Sequence, residues 1–297
     1  MTNTIPILTP DDWKDYELID SGDGKKLERF ADYTLNRPDP RAMWKPHADT
    51  NVWDAADAAY VRVNETSGNW VIRRPPPPLW HIRHDQLTLV LKPTAFKHVG
   101  VFPEQAPNWR WITERVAGKP INVLNLFAYT GAATLAAAGA GARVTHVDAS
   151  KPSLSWAKEN AEASHLSDRP IRWILDDAYK FVLREARRGV TYDGIIMDPP
   201  RFGRGAKGEI WKLEDDLPKL LSACTHILSP KPSFFLLNAY TADVSSIALS
   251  RLLDDLMKRS GGMTEAGELA LKDSTAGKLL PNGIFARWQA DTYLPTT

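Results

Sequence analysis

Cysteine is almost missing from this chain: Cys224 is the only one in 297 residues. No intrachain disulfide and no cysteine-built zinc site can form. A reducing, cytoplasmic setting is the simplest expectation. Excess charge of one sign is missing too. Lys and Arg number 37 against 36 Asp and Glu, a formal net charge of +1. That excludes a histone-like polycation, though not a local basic patch. No internal repeat is visible. The start, Met1-Thr-Asn-Thr-Ile-Pro-Ile-Leu, has no basic residue and no long apolar core, so it does not read as a signal peptide. One stretch, residues 121–142, carries no charge and is as long as a membrane span of about 20 residues. Its Asn122, Asn125, Thr130 and Thr134, with several glycines and many alanines, make insertion in lipid weakly favourable at best. A buried strand, a glycine-containing turn and a small-residue helix explain it better.

What is present divides near residue 115. The expected organisation is an N-terminal, mainly β domain over residues 1–115 and a second domain over 116–297. The first part is irregular and rich in Trp and Pro. The run Ala-Ala-Tyr-Val-Arg-Val around Tyr60, the run from Asn69, and Leu87-Thr-Leu-Val-Leu-Lys read as strands. Pro75 to Pro78 should be an extended connector. The second part alternates strand-like and helix-like segments: strands from Ile121, Ala142, Ile171, Tyr192 and Ser233, and helices from Ala132, Pro152, Ala178 and Leu217. Such alternation predicts an α/β fold with a parallel sheet covered on both faces. Ligands on such sheets bind beyond the carboxyl ends of the strands, where strand order reverses.

Polar residues recur at that edge: the turn Phe127-Ala-Tyr-Thr-Gly131, then Asp148, then Asp176 and Asp177, then Asp198. One such residue is ordinary loop chemistry; the recurrence is not. The turn lacks the Gly-x-Gly-x-x-Gly dinucleotide fingerprint and the Gly-x-x-x-x-Gly-Lys phosphate loop. Gly131 lets backbone approach a ligand, and the following helix offers free N–H groups. Asp148 suits ribose hydroxyls. Asp177-Ala178 suits an adenine edge, with Asp176 or Ser150 as candidate helix caps. In Asp198-Pro-Pro-Arg-Phe-Gly-Arg-Gly, the prolines stiffen a turn. There Asp198 can accept a hydrogen bond from a substrate amine, and Phe202 can stack on a planar base.

The set Asn125-Leu-Phe-Ala-Tyr-Thr-Gly, Val147-Asp-Ala-Ser, Asp176-Asp-Ala and Asp198-Pro-Pro-Arg-Phe resembles the class I S-adenosylmethionine-dependent methyltransferases. Within them it is most similar to the bacterial 23S ribosomal RNA large-subunit group. Lys97-His-Val-Gly-Val-Phe-Pro-Glu-Gln resembles that group's entry to its catalytic domain. The resemblance covers about residues 85 to 297. It implies a Rossmann-like, seven-stranded, mostly parallel sheet with a reversed final strand, which Gly283-Ile-Phe-Ala-Arg-Trp-Gln-Ala fits. It further implies S-adenosylmethionine as cofactor, S-adenosylhomocysteine as product and no metal. Phe127, Ala128, Tyr129, Thr130 and Gly131 would hold the methionine part. Asp148, with Ala149 and Ser150 beside it, would meet the ribose. Asp176, Asp177 and Ala178 would meet the adenine, and Gln105 would close the pocket. Asp198, Pro199, Pro200 and Phe202 would face the methyl acceptor.

Relatives that methylate carbon 5 of cytosine need a cysteine nucleophile. Here the strand after the motif ends Leu236-Leu-Asn-Ala-Tyr, and Cys224 falls in an apolar helix, so it reads as core. Methylation at nitrogen or oxygen is more natural, where the acceptor's own lone pair attacks. Arg201, Arg204 and Lys207, interleaved with glycines, would grip RNA phosphates. The face Lys180, Arg184, Arg187 and Arg188 reads as ordinary solvation. The tryptophans read mainly as core, with Trp80 and Trp109 as alternatives for base stacking. His81 and His84 have no partner in sequence that suggests a metal. The expected function is methylation of a base, most naturally in ribosomal RNA, by a protein not in a membrane. A small-molecule or protein methyltransferase, a nicotinamide-dependent oxidoreductase and a non-catalytic module stay open as alternatives.

Overall fold

The strands that position the rim form because their residues are apolar on both faces, as a sheet covered on two sides requires. The computed structural model describes residues 4–10, 13–64, 67–204, 208, 210–240 and 243–291. In chain order its first elements are β1 (Ile7–Leu8), β2 (Tyr16–Gly22), β3 (Lys25–Phe30), β4 (Tyr33–Pro38), α1 (Thr50–Asp54), β5 (Ala58–Arg62), β6 (Gly68–Ile72), β7 (His81–His84) and β8 (Leu87–Val90). After a 3-10 turn at Pro103–Gln105 come α2 (Ala106–Val116), β9 (Asn122–Leu126), α3 (Ala132–Gly139), β10 (Arg143–Asp148), α4 (Lys151–Ala163), β11 (Ile171–Leu175), α5 (Ala178–Arg187) and β12 (Gly194–Met197). The chain ends with β13 (Phe202–Arg204), β14 (Ile210–Lys212), α6 (Leu213–Cys224), β15 (Phe234–Ala239), α7 (Ser246–Met257), β16 (Met263–Lys272) and β17 (Leu279–Gln289).

Two compact units share the chain. One comprises Met1–Leu8, Asn108–Leu269 and Gly283–Thr297; the other comprises Thr9–Pro107 and Ala270–Asn282. The main division falls at Pro107, where the sequence suggested residue 115, and each unit takes a short segment from the far end of the chain.

The larger unit carries a sheet of order β1-β16-β17-β15-β12-β9-β10-β11. β9, β10, β11, β12 and β15 are mutually parallel, and β17 runs antiparallel to β15, the reversed strand that the sequence implies. The sheet has eight strands rather than the expected seven. The extra one, β1, has two residues and pairs in parallel with β16 at Ile7↔Glu268 and Leu8↔Leu269. Alternate residues feed two cores. Leu124, Leu126 and Ile195 pack with Phe181, Leu217 and Leu220 on one face. Val123, Val144 and Ile196 pack with Ile112, Ala137 and Ala138 on the other. The uncharged stretch 121–142 is thus β9, a turn and α3, and among the described residues no helix is long and apolar enough to cross a membrane.

The smaller unit holds a five-stranded sheet, β2-β3-β4-β5-β6, and the hairpin β7–β8. Its core includes Phe30, Tyr33, Leu35, Trp80 and Ile82. Charges are buried there in pairs. Glu28 accepts from Tyr16 Oη at 2.9 Å and Arg37 Nε at 2.8 Å, and Lys26 Nζ lies 3.3 Å away. Burial alone would raise the Glu28 pKa; Arg37 and Lys26 bring it below the ordinary value. Trp80 is buried and donates to Phe30 O, and Trp109 is buried as well, so both are core residues rather than stacking platforms.

Candidate functional site

The strand order places a switch point between β9 and β12: from β9 the chain builds outward through β10 and β11, then returns to lay β12 on the other side. Crevices form beyond the carboxyl ends at such points. The turn after β9 and the corner after β12 flank this one. Their backbones are joined where Asp198 N donates to Leu126 O at 3.4 Å.

The turn 127–131 is held in an unusual conformation. Phe127 and Tyr129 have φ of 55° and 49°, and Gly131 has φ of 86°. Left-handed backbone at non-glycine residues persists only where the surroundings over-determine it. Here they do. Ala128 N donates to Val147 O at 3.1 Å, Tyr129 N to Asp148 Oδ2 at 2.8 Å, and Asn160 Nδ2 to Thr130 O at 2.8 Å. Gly131 sits at the N-cap of α3, where a Cβ would come 3.0 Å from Ala157 Cβ. Glycine at this position thus lets α3 pack closely on α4, and the first N–H groups of α3 have no partner within their own helix.

Asp148 ends β10 half-buried. Oδ1 accepts from Ser150 N and Oδ2 from Tyr129 N, both at 2.8 Å. Burial raises its pKa, opposed by those two N–H groups. A carboxylate offers about four acceptor sites, so lone pairs stay open to vicinal hydroxyls. Ser150 caps α4, as the sequence suggested, accepting from Ser153 N at 3.3 Å; Ala149 lies between these two residues. Asp176 N donates to Asp148 O at 3.2 Å, which brings the end of β11 alongside. The helix cap there is Asp177, not Asp176. Asp177 Oδ1 accepts from Lys180 N at 2.9 Å, whereas Asp176 Oδ2 pairs with Arg184 Nη1. Ala178 is buried at the first helical position.

At the corner after β12, Asp198 is half-buried, Pro199 is buried, and Phe202 is 52% exposed. Pro200 O accepts from Trp211 Nε1 at 2.7 Å, and the Trp211 ring lies 4.9 Å from that of Phe127. Trp211 therefore pins the acceptor corner to the turn after β9. The sequence reading missed it. The signal lay in the short apolar run Ile210-Trp-Lys after the glycines, which pairs back on Phe202–Arg204 as a β-ribbon. Arg201 carries acidic partners, Asp243 and, at 3.4 Å, Glu214. Arg204 contributes backbone to β13, and Lys207 lies outside the described residues. Asn238, at the end of β15, was also missed; it accepts from Asn108 Nδ2 at 3.0 Å. Cys224 is wholly buried in α6, and burial pushes its thiol far above the ordinary range, so it is core.

The structure thus gathers residues 127–131, 148–150, 176–178 and 198–202 along one rim of the larger unit. Gln105 lies buried in the 3-10 turn of the other unit. The cradle fits S-adenosylmethionine on two counts: the N-terminus of α3, which begins directly after the turn, and open acceptor sites on Asp148. Among the described residues no cluster of His, Cys, Asp and Glu could hold a metal ion.

A mostly parallel sheet with this strand order, a reversed strand beside β15 and an acid at the end of β10 defines a class I methyltransferase fold. The family model for S-adenosylmethionine-dependent methyltransferases matches residues 50–255, and the chain belongs to that family. The crystal structure of the SAM-dependent methyltransferase from Agrobacterium tumefaciens is 43% identical, covers 97% of both chains and superposes with a TM-score of 0.90. A methyltransferase structure complexed with SAH shares the fold at 20% identity, with a TM-score of 0.73 over 92% of this chain and 75% of that one. Ribosomal RNA large subunit methyltransferase K/L of Hahella chejuensis is 37% identical over 133 residues, 44% of this chain and 18% of that protein. The chain therefore spans about a fifth of the length of such curated relatives.

Proposed function

We propose that the protein transfers a methyl group from S-adenosylmethionine to a nucleobase nitrogen in RNA, ribosomal RNA being the substrate class, in the cytoplasm. The observation that carries the reading is the corner Asp198 to Phe202, a half-buried carboxylate beside an exposed ring, abutting the cofactor cradle across the switch point. The names of the curated relatives support the substrate class. Residues 127–131 hold the methionine part, Asp148 with its neighbours Ala149 and Ser150 the ribose, and Asp176 to Ala178 the adenine side. The bound donor supplies an electrophilic methyl group on a sulfonium sulfur. Asp198 accepts a hydrogen bond from the acceptor amine and keeps its lone pair directed at the cradle. The Phe202 face fixes the base plane, with stacking worth about 1–3 kcal/mol per base. Nitrogen attack needs no covalent enzyme intermediate, whereas carbon-5 chemistry needs a cysteine nucleophile, and the chain's one cysteine, Cys224, is buried in α6. Arg201, Arg204 and Lys207, which follow the corner in sequence, are the proposed phosphate contacts.

The test is methyl incorporation from labelled S-adenosylmethionine into ribosomal RNA from a strain lacking the gene, followed by mass-spectrometric mapping. Label in a single base nitrogen supports the reading. Label confined to protein or small molecules overturns the RNA assignment, and label at carbon 5 overturns the chemistry.

A further inference from the structure

The opposite edge of the same sheet carries a second feature. A cleft of about 480 Å³ runs across the amino ends of β9, β10, β11 and the approach to β12. Its lining includes Arg143, Arg169 and Arg172 and no acidic side chain. The register explains how they converge. Thr145 pairs with Arg172 across β10 and β11, so Arg172 and Arg143, two residues before Thr145, point to the same face of the sheet. Arg169 reaches the same cleft from the turn before β11.

Beneath the cleft lies Glu185, wholly buried on α5. It accepts from Arg172 Nη1 at 2.9 Å, Arg188 Nη1 at 3.3 Å and Tyr192 Oη at 2.8 Å. The Arg172 guanidinium also lies 5.6 Å from the Phe181 ring. One guanidinium is thereby fixed in place, while Arg143 and Arg169 are exposed and their guanidinium groups make no hydrogen bond or ion pair with the described residues. Two guanidinium groups, Arg172 and Arg188, thus share the Glu185 carboxylate, and Arg143 and Arg169 add two further positive charges to the cleft lining. Glu185 offsets one of the two guanidinium charges it holds, which leaves Arg143 and Arg169 without an acid of their own among the described residues; like charges converging on a concave surface in this way are matched by an external anion. Arginine forks fit phosphate oxygens in pairs.

The geometry points to a phosphate-binding groove at this edge. Its class of ligand is phosphate esters, and the source is the backbone of the same RNA whose base enters the rim, a clause that rests on the function proposed above. β10 runs from Arg143 to Asp148, about 17 Å at ~3.3 Å per residue, so a strand of RNA reaches both edges. Contacts to phosphates fix orientation and leave base choice to the rim.

The experiment compares the wild type with Arg143→Ala/Arg169→Ala. Arg172 is left in place, because removing it would strand the buried Glu185. Binding of a 20-nucleotide single-stranded RNA is measured across salt concentrations, with inorganic pyrophosphate as a second probe and S-adenosylhomocysteine as the control for the opposite edge. Losing two phosphate contacts lowers the log–log salt slope by about 1.4 and weakens RNA binding roughly 20-fold at 0.1 M salt, with S-adenosylhomocysteine affinity unchanged. Equal RNA binding by both proteins would overturn the groove and leave the RNA acceptor standing. Pyrophosphate binding that the variant loses, with no RNA binding by either protein, would keep the groove and overturn the RNA source. Absence of both ligands from the wild type would overturn the proposal outright.

Discussion

Gly131→Ala isolates the physical reason for the turn beneath the proposed cofactor. Two costs add. The φ of 86° lies in the left-handed region, which costs a residue with a Cβ about 1–2 kcal/mol. The new Cβ would sit 3.0 Å from Ala157 Cβ and 3.5 Å from Ala157 Cα, a contact that α3 and α4 must relax by a few tenths of an ångström. Such overpacking costs about 1–3 kcal/mol. Against these, alanine stiffens the unfolded chain and returns about 0.4–1 kcal/mol. The net expectation is a loss of about 1–5 kcal/mol in urea unfolding, together with weaker binding of S-adenosylhomocysteine in calorimetry. A double-mutant cycle with Ala157→Gly separates the two costs. That second change relieves the contact but leaves the dihedral, so the coupling recovers only the packing part. The reasoning is refuted if Gly131→Ala is as stable as the wild type, or if Ala157→Gly restores everything.

Other outcomes follow from the same structure. Burial holds the pKa of His146 and of His98 at about 3, against 6.5 for the free group. For a group depressed in the folded state, the stabilising contribution is complete above 6.5 and is lost as pH falls toward 3. Unfolding free energy should therefore drop through that window, by up to about 1.4 kcal/mol per pH unit for each histidine; His146→Gln should flatten the slope, and an unchanged slope refutes the assignment. Asp148 is raised in the folded state, so its charge opposes folding above its native pKa, and that penalty is relieved on acidification. Asp148→Asn keeps only one acceptor oxygen for the Tyr129 and Ser150 N–H groups, so relief of the buried charge is offset by a lost hydrogen bond of about 1 kcal/mol, while S-adenosylhomocysteine should bind more than tenfold weaker; unaltered affinity would remove Asp148 from the ribose role. Cys224→Ala should lose about 1 kcal/mol for a filled core site and keep methyl transfer intact, whereas abolished activity with a preserved fold would restore a covalent mechanism.

The larger unit was legible because its strands lie between two cores, one on each face of the sheet. Ile171–Leu175 matched at both ends, and Ser150 declared its helix through its cap. The smaller unit was not. β3, Lys25-Lys-Leu-Glu-Arg-Phe, buries Lys26 and Glu28 in ion pairs, so its sequence shows no apolar alternation to read. β1 left no local trace because its partner in β16 lies some 260 residues away and the strand is two residues long. α6 begins at Leu213 rather than the expected Leu217 because Pro218 masks its first turn. At the site, the acids declared themselves by recurrence at strand ends. Trp211 and Asn238 did not, since their importance comes from Pro200 O and Asn108, which no spacing in the sequence brings near.

The central claim is that the rim cradles the methyl donor with its sulfur toward the corner at Asp198. The most direct measurement is a crystal structure with S-adenosylhomocysteine. The account predicts ribose hydroxyls on Asp148, the methionine part along residues 127–131, and sulfur facing Asp198. Ligand bound at another edge of the sheet, or lying in the crevice with its sulfur turned away from Asp198, would contradict it.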